Sequence, residues 1–394
     1  MPTATVAAFS RSPDAGAPVT KVPAVRRATR DVHVAVIGAS GRVGRRVLAL
    51  VARQRSLGAS PLRVVAVVNT TRALVVAAGL DPAEAAELLC TTAPTDVAAV
   101  LDGLDGLPRP LIVLDCTASA AIAARYPAWL ADGIDIVTPN KIGPSADAPL
   151  AKRIAAAQAF SGAHLYDATT VGAQLPLLST LRELHGAGDS VRRFEAVLSG
   201  TLSYVLGRVQ QGEALSSAVR GAVAEGYAEP HPATDLSGED AARKLVILLR
   251  ALGHEIELDD IECAPLVDAA LLAESDPARL LQGLASADET WRARAAVAEA
   301  RRERWIYRAS FEHDAAAPAG ARGRARIAPE RVPLEHPLAG LAPCENKLVL
   351  HSAFYDAAPL SVSGPGAGID LTAAGVLGDL QLAVRRHVFA STAV

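Results

Sequence analysis

Residues 226–244 read GYAEPHPATDLSGEDAARK and bring Glu229, Asp235, Glu239, Asp240, Arg243 and Lys244 within sixteen positions. Asp240 and Lys244 lie four apart, so a helix would set them on one face. Such a pair is ordinarily a solvated ion pair of little consequence. Composition argues for more here. Only five of the 39 basic residues are lysine: Lys21, Lys141, Lys152, Lys244 and Lys347. A generic surface cation in this chain would be arginine. Lysine makes sense where arginine cannot substitute, since a general acid must release a proton and a guanidinium does not. Lys244 beside Asp240 is therefore the first candidate for proton-transfer chemistry.

The elements that must position this pair are readable around it. Pro230 and Pro232 lack an N–H and restrict the residue before them, which predicts no helix in the first half of the segment. Ser237 is the predicted N-cap, with Asp240 three residues on as a looser capping box. From Ala241, AARKLVILLRALG carries an apolar stripe and stops near Gly253.

The first half of the chain has a different grammar. HVAVIG at 33–38 is a short apolar run that meets glycines at once. GASGRVG then opens the helical pattern RRVLALVARQ, and RVVAVVN, LIVLD and IDIVT follow as buried strands with helical segments between them. This is the start of a doubly wound parallel sheet. In the motif Gly38-x-x-Gly41-x-x-Gly44, Ser40 stands where a second glycine is usual. Gly38, Ser40, Gly41, Arg42, Val43 and Gly44 would bring backbone N–H groups and a helix N-terminus to a pyrophosphate, which predicts a dinucleotide site. After the second strand the chain reads Asn69-Thr70-Thr71-Arg72, with a cation and no acid. That favours the 2′-phosphate of NADP over the free ribose of NAD.

After Pro139 helices and strands mix in an α+β manner. Helices are predicted at 151–160, 177–184, 202–211, 215–225 and 289–303. Strands are predicted at 194–198, 305–311, 325–327, 348–355 and 360–362. GPGAG, with Gly366 and Gly368, precedes a helix at 370–383 and is expected to fold back onto the first domain and complete the cofactor site. The fold class expected is α/β: a Rossmann-type doubly wound parallel sheet plus an α+β substrate and dimerisation domain with a mixed sheet. The domains expected are a disordered tail at 1–30, a cofactor domain at 31–165 completed by 364–394, and a substrate and dimerisation domain at 166–363. The tail carries four prolines and five basic residues with Asp14 as its only acid, and its prolines argue against an amphipathic transit peptide.

At 394 residues, half of them hydrophobic, with net charge −3, the chain gives no electrostatic reason to bind nucleic acid or an anionic membrane. Four scattered cysteines without a CxxC indicate neither disulfides nor zinc, which fits a cytoplasmic location.

The motifs together resemble homoserine dehydrogenase, and most of all the dehydrogenase half of the bifunctional aspartokinase–homoserine dehydrogenases. The resemblance runs from about residue 32 to 384. It rests on VVNTTRAL, LDCTAS, VTPNK, LSGTLSYVLG, GYAEP, DLSGEDAARK and GPGAGIDLTAAGVLGD. It implies NAD(P)H-dependent reduction of L-aspartate 4-semialdehyde to L-homoserine, on the way to threonine, methionine and isoleucine, with NADPH preferred. It further implies Lys244 as general acid, Lys141 as a second essential lysine beside nicotinamide and substrate, and Glu229, Asp235 and Asp240 as substrate-holding carboxylates. Thr117 and Ser119 match cofactor contacts. A homodimer acting on a small molecule is implied. So is a structural monovalent cation such as Na+, on the backbone carbonyls of Val171, Ala173 and Leu175.

Two segments depart from the family pattern. EPHPATDLSG stands for the usual EPDPRDDLSG, so His231, Ala233 and Thr234 replace Asp, Arg and Asp. YDATTVGAQLP carries one inserted residue and Gln174 for glycine, which displaces the acidic partner Asp167 of the cation site. These departures motivate one alternative, a weakened homologue acting as a partner subunit. A reductase of another small amino-acid aldehyde or imine is a second, because GASGRVG also resembles dihydrodipicolinate reductase. No kinase-like stretch precedes residue 32 and no ACT-sized segment follows residue 384, so the expectation is no threonine inhibition through an ACT domain.

Overall fold

Parallel strands buried on both faces need unbroken apolar runs, and the first half of the chain supplies them. A computed structural model describes residues 31–58, 61–228, 231–313 and 323–390. The expected tail at 1–30 and the candidate Glu229 lie outside the described residues. The first sheet holds β1 (Val32–Ile37), β2 (Leu62–Val68), β3 (Ala73–Leu80), β4 (Leu111–Asp115), β5 (Asp135–Val137) and β6 (Leu165–Tyr166). Their order is β3-β2-β1-β4-β5-β6. All neighbours run parallel except β2 and β3, which pair antiparallel.

The sequence reading missed β3. Residues 73–80 are ALVVAAGL on a partly exposed sheet edge, with no clean period of two. The hairpin that produces it turns on Asn69, whose Oδ1 accepts from the N–H groups of Thr71 and Arg72. The segment after β2 is thus a tight turn rather than a crossover to a helix.

The second sheet holds β7 (Val191–Val197), β8 (Glu262–Cys263), β9 (Glu303–Glu312), β10 (Arg324–Pro333), β11 (Glu345–Ser352) and β12 (Leu360–Pro365). Its order is β12-β11-β7-β9-β10-β8, antiparallel apart from β8 beside β10. Helices Leu177–Gly186, Gly200–Gln210, Leu215–Ala224 and Glu239–Ala251 bury their apolar stripes against one face of it.

One expectation at 226–244 is overturned. Residues 233–237 form a short helix, because Pro232 sits at its N-cap, where a missing N–H costs nothing. Ser237 is the last residue of that helix rather than the cap of the next. Gly238 caps helix Glu239–Ala251 at φ +81°, and a Cβ there would lie 1.9 Å from the Tyr307 hydroxyl oxygen. Ser237 Oγ still accepts from the Glu239 N–H at 3.2 Å.

The C-terminal helix, Ile369–Ala390, returns to the first sheet. Ala373, Val376, Leu380, Ala383 and Val384 follow a helical period and join Val47, Leu48 and Val51 of helix Arg42–Ser56 and Val34 and Val36 of β1 in one apolar cluster. At its start Asp370 pairs with Arg46 at 2.6 Å. Near its end Arg386 Nη1 reaches both oxygens of buried Asp135, at 2.9 and 3.0 Å, and His387 Nε2 lies 2.8 Å from the same carboxylate. This anchor carries the helix past residue 383, where the sequence pattern ends.

Burial alone would raise the Asp135 pKa. Hydrogen bonds from His387 and the His164 N–H and the charge of Arg386 outweigh it and hold the carboxyl below its usual range. Asp135→Asn is expected to destabilise the fold by roughly 3 kcal/mol, since it leaves a partly buried guanidinium facing a neutral amide. A carboxyl whose pKa is depressed on folding adds stability above its unfolded value and gives it up as pH falls through the folded one. The wild type should therefore lose melting temperature on acidification below about pH 4, and the Asn variant should lose less. Equal acid slopes in circular dichroism melts would contradict the assignment.

Candidate active site

Three of the predicted residues meet. Lys244 Nζ is 2.7 Å from Asp240 Oδ2, and Lys141 Nζ is 3.1 Å from Asp240 Oδ1. Lys244 also donates to the carbonyl of Leu198 at 2.9 Å. The Lys244 side chain is only 12 % exposed, while Asp240 and Lys141 are open to about a third. Burial would raise the Asp240 pKa, but the two ammonium groups and their hydrogen bonds hold it well below the ordinary carboxylate range. The aspartate is ionised, and one carboxylate serves two cations. The surplus positive charge can receive an anion or a developing oxyanion.

The two lysines come from different halves. Lys244 sits on helix Glu239–Ala251 beside the second sheet. Lys141 lies just beyond β5, at the carboxyl edge of the first, and a buried network sets it. Asp115, the last residue of β4, accepts from Tyr126 Oη at 2.6 Å, from Asn140 Nδ2 at 3.0 Å and from the Thr117 N–H at 2.8 Å. Thr138 Oγ1 donates to the Asp115 carbonyl and accepts from the Asn140 N–H. Asn140 Nδ2 also donates to the Ser119 carbonyl at 3.1 Å. The loop with Thr117 and Ser119 and the loop with Lys141 are thereby one unit. Burial and the Asp115 charge push the Tyr126 phenol well above its usual pKa, so it remains a donor. A Cβ on Gly143 would meet the Tyr126 ring at 2.5 Å.

The glycine turn lies at the same edge. Gly38 has φ +78°, and a Cβ on Gly44 would lie 2.3 Å from the Gly38 carbonyl oxygen. Gly41 caps helix Arg42–Ser56 without a side-chain hydrogen bond, and the first turn carries no acid. Arg42 is exposed there, with Ser40 and Val43 partly so. Only glycine leaves such a cradle, and a free helix N-terminus suits a pyrophosphate, so these residues fit a dinucleotide. Asn69 is occupied in its turn. Arg72 lies in the same hairpin, its Nε fixed on the Thr92 carbonyl at 2.8 Å. At the other end, Gly366 N–H donates to the Cys344 carbonyl at 3.2 Å and Gly368 has φ +127°.

Asp235 lies on the short helix Ala233–Ser237. Its Oδ1 lies 3.2 Å from Thr201 Oγ1, whose single proton is shared between that carboxylate and the Tyr227 carbonyl. In the altered loop, His231 Nε2 engages the Glu274 carbonyl at 3.1 Å. Glu239 and Arg243 pair with each other at 2.7 Å, as ordinary helix charges do. Sequence reasoning missed Asp115, Tyr126 and Asn140, whose importance comes from contacts between segments far apart in the chain. Only the Asn-Lys doublet at 140–141 lay beside a chosen residue.

The cation segment has other commitments. The Asp167 carboxylate pairs with Arg182 at 2.6 Å, and the Leu175 carbonyl accepts from the Leu177 N–H at 2.8 Å. Asp379 is buried beside Asp167, and burial with that neighbouring charge pushes its pKa up to about 7. Val171 and Ala173 are buried in the same turn. A donor set whose acid is held by a guanidinium, and whose Leu175 carbonyl already accepts a hydrogen bond, does not fit a bound cation.

The glycine cradle and Lys141 both stand at the carboxyl edge of one sheet, as in a dinucleotide-binding fold. The chain belongs to the homoserine dehydrogenase family. Residues 40–167 match the family's NAD-binding domain and residues 176–381 match homoserine dehydrogenase. It is 37% identical over 288 residues to the homoserine dehydrogenase of Schizosaccharomyces pombe, covering 72% of this chain and 75% of the relative. It is 36% identical over 323 residues to a chloroplastic bifunctional aspartokinase/homoserine dehydrogenase of Zea mays, covering 81% of this chain. It spans about a third of that relative's length (34%). Among solved structures, a Candida auris protein superposes with TM-score 0.80 at 28% identity, over 91% of this chain and 99% of the other. A hyperthermophilic archaeal homoserine dehydrogenase in complex with NADPH shares the fold, with TM-score 0.67 at 20% identity over 90% and 98% of the two chains.

Tyr126→Phe keeps the ring against Gly143 and removes one donor to Asp115. It is expected to cost about 1–3 kcal/mol in urea unfolding, the penalty for a buried carboxylate left short of a partner. Unchanged stability would contradict the network.

Proposed function

We propose that this chain is a homoserine dehydrogenase that reduces L-aspartate 4-semialdehyde to L-homoserine with NADPH. The observation that carries the reading is the single buried-edge aspartate shared by Lys141 and Lys244. When bound, the cofactor supplies hydride to the aldehyde carbon. The residues of the chain then deal with the charge left on oxygen. Lys244, directed by Asp240 and the Leu198 carbonyl, stabilises the developing alkoxide and gives it a proton. Lys141 adds a second positive charge from the cofactor side. Asp240 keeps both ammonium groups in place, and Asp235 and Glu229 are assigned to the ammonium of the amino-acid substrate.

Gly38, Ser40, Gly41, Arg42, Val43 and Gly44 are assigned to the pyrophosphate, and Thr117, Ser119, Gly366 and Gly368 to further cofactor contacts. Asn69 shapes the turn that carries Arg72, and Arg72 is assigned to the 2′-phosphate. The archaeal homoserine dehydrogenase with NADPH is in line with that choice. We assign residues 31–165 with 364–394 to cofactor binding and 166–363 to substrate binding and dimerisation, in a cytoplasmic homodimer. No helix among the described residues is long and apolar enough to cross a membrane. The intact lysine–aspartate group argues against a catalytically weakened partner subunit.

The test is NADPH oxidation with L-aspartate 4-semialdehyde, beside NADH. The wild type should turn over with a preference for NADPH. Lys244→Ala should lower kcat by roughly 10²–10⁴-fold, the usual contribution of a general acid. Lys244→Arg should be about as impaired, because it keeps the charge and cannot release the proton. An inactive wild type, or an active Arg variant, would sink this mechanism.

Separately, Arg72→Ala should weaken NADPH binding by about tenfold or more and leave NADH binding within about twofold, as expected for the loss of one charge-assisted hydrogen bond to phosphate. Equal losses for both cofactors in fluorescence titrations would remove Arg72 from the 2′-phosphate site.

A further inference from the structure

Asn346 is the most unusual polar residue near the site. It lies on β11, is 1 % exposed, and its Oδ1 is buried without a hydrogen-bond partner. Its Nδ2 donates to the Leu198 carbonyl at 3.4 Å, the same carbonyl that receives Lys244 Nζ. That contact fixes the amide's orientation, because the reverse would set two oxygens face to face. The amide also lies against Gly366. A Cβ on Gly366 would come within 2.0–2.4 Å of its Cγ, Oδ1 and Nδ2. Asn346 therefore packs between the acid lysine's carbonyl and the C-terminal glycine turn.

Buried carbonyl oxygens in folded proteins are almost always paired, and one left alone costs stability that an apolar residue of the same shape would not. Such a defect at a functional site points to a partner that arrives later. The orphan is an acceptor, so that partner carries an N–H. We propose that Asn346 is a ligand-binding and positioning residue whose Oδ1 accepts a hydrogen bond from an N–H of the bound ligand while its Nδ2 holds the Leu198 carbonyl that orients Lys244. Two ligand groups offer that chemistry, the carboxamide of the nicotinamide and the ammonium of the amino-acid substrate. The inference rests on the function proposed above.

Asn346→Leu keeps the side-chain shape and removes both hydrogen bonds. Its melting temperature without ligand should equal or exceed that of the wild type, since the orphan is gone. Fluorescence titration should show NADPH affinity about tenfold weaker, while the 3-acetylpyridine analogue of the cofactor, which lacks the carboxamide N–H, binds both proteins alike. If the substrate is the source, the about tenfold loss instead appears in the KM for homoserine and is absent with 4-hydroxybutyrate, which has no ammonium group. Asn346→Asp guards against misfolding of the Leu variant. It keeps an oxygen acceptor but lacks the donor to Leu198, so it should retain the discrimination between cofactors or between substrates and lose kcat. Equal losses for every ligand, or none, would overturn the assignment, as would an Asp variant without discrimination. A wild type with no dehydrogenase turnover would sink the function proposed above. An active wild type with an unaffected Leu variant would sink only this inference.

Discussion

The site depends on one carboxylate shared by two ammonium groups. Asp240 offers one oxygen to Lys244 and the other to Lys141. Two bare ammonium groups a few ångströms apart would repel by about 3 kcal/mol at an effective dielectric of 20. The ionised aspartate between them removes that obstacle and sets their spacing. It also joins the halves of the molecule, because one lysine stands at the edge of the parallel sheet and the other on a helix of the second layer. Lys141 stays open to water, while the more buried Lys244 depends on Asp240 and the Leu198 carbonyl to offset its desolvation.

Much of the surrounding structure holds the two ends of this arrangement. On the side of Lys141, Asp115 collects donors from three segments and locks two loops beyond neighbouring parallel strands. On the side of Lys244, the helix begins at a glycine that no other residue could replace without moving Tyr307. The Leu198 carbonyl, just beyond β7, then completes the lysine's hydrogen bonding. The C-terminal helix belongs to the same design. It packs on the glycine-turn helix and ends on Asp135, so the turn that precedes it is fixed relative to both sheets.

The sequence made the local features legible. Apolar runs gave β1, β2, β4 and β5, glycine spacing gave the cofactor turn, and an i, i+4 pair gave Asp240 with Lys244. Scarcity of lysine in an arginine-rich chain marked Lys244 through composition alone. Lys141 needed a family resemblance, since nothing local distinguishes a lysine after Asn140. Features set by tertiary contact were not legible. β3 exists because an edge is free beside β2, and its composition does not announce it. Ser237 looked like a cap, but the requirement for a left-handed residue against Tyr307 moved the cap to Gly238. Asp115 and Tyr126 read as an unremarkable strand end and helix start, because their meaning lies in a hydrogen bond across eleven residues.

The choice of lysine over arginine follows from charge and timing. Two ammonium groups and one carboxylate leave one positive charge uncompensated while the site waits. A substrate aldehyde is neutral and gains little from it. In the reaction proposed above, the oxyanion left by hydride transfer gains much more, because the donors are already in place and need no reorganisation. An arginine would stabilise the same oxyanion but would keep its proton, leaving an alkoxide to find water at an edge that the second layer partly covers. Lysine can surrender the proton, and the shared aspartate keeps the resulting neutral amine in position to regain one. Among the described residues every other ion pair uses arginine or histidine, and lysine at the two positions around Asp240 accords with the roles proposed for them, proton release at Lys244 and positive charge at Lys141.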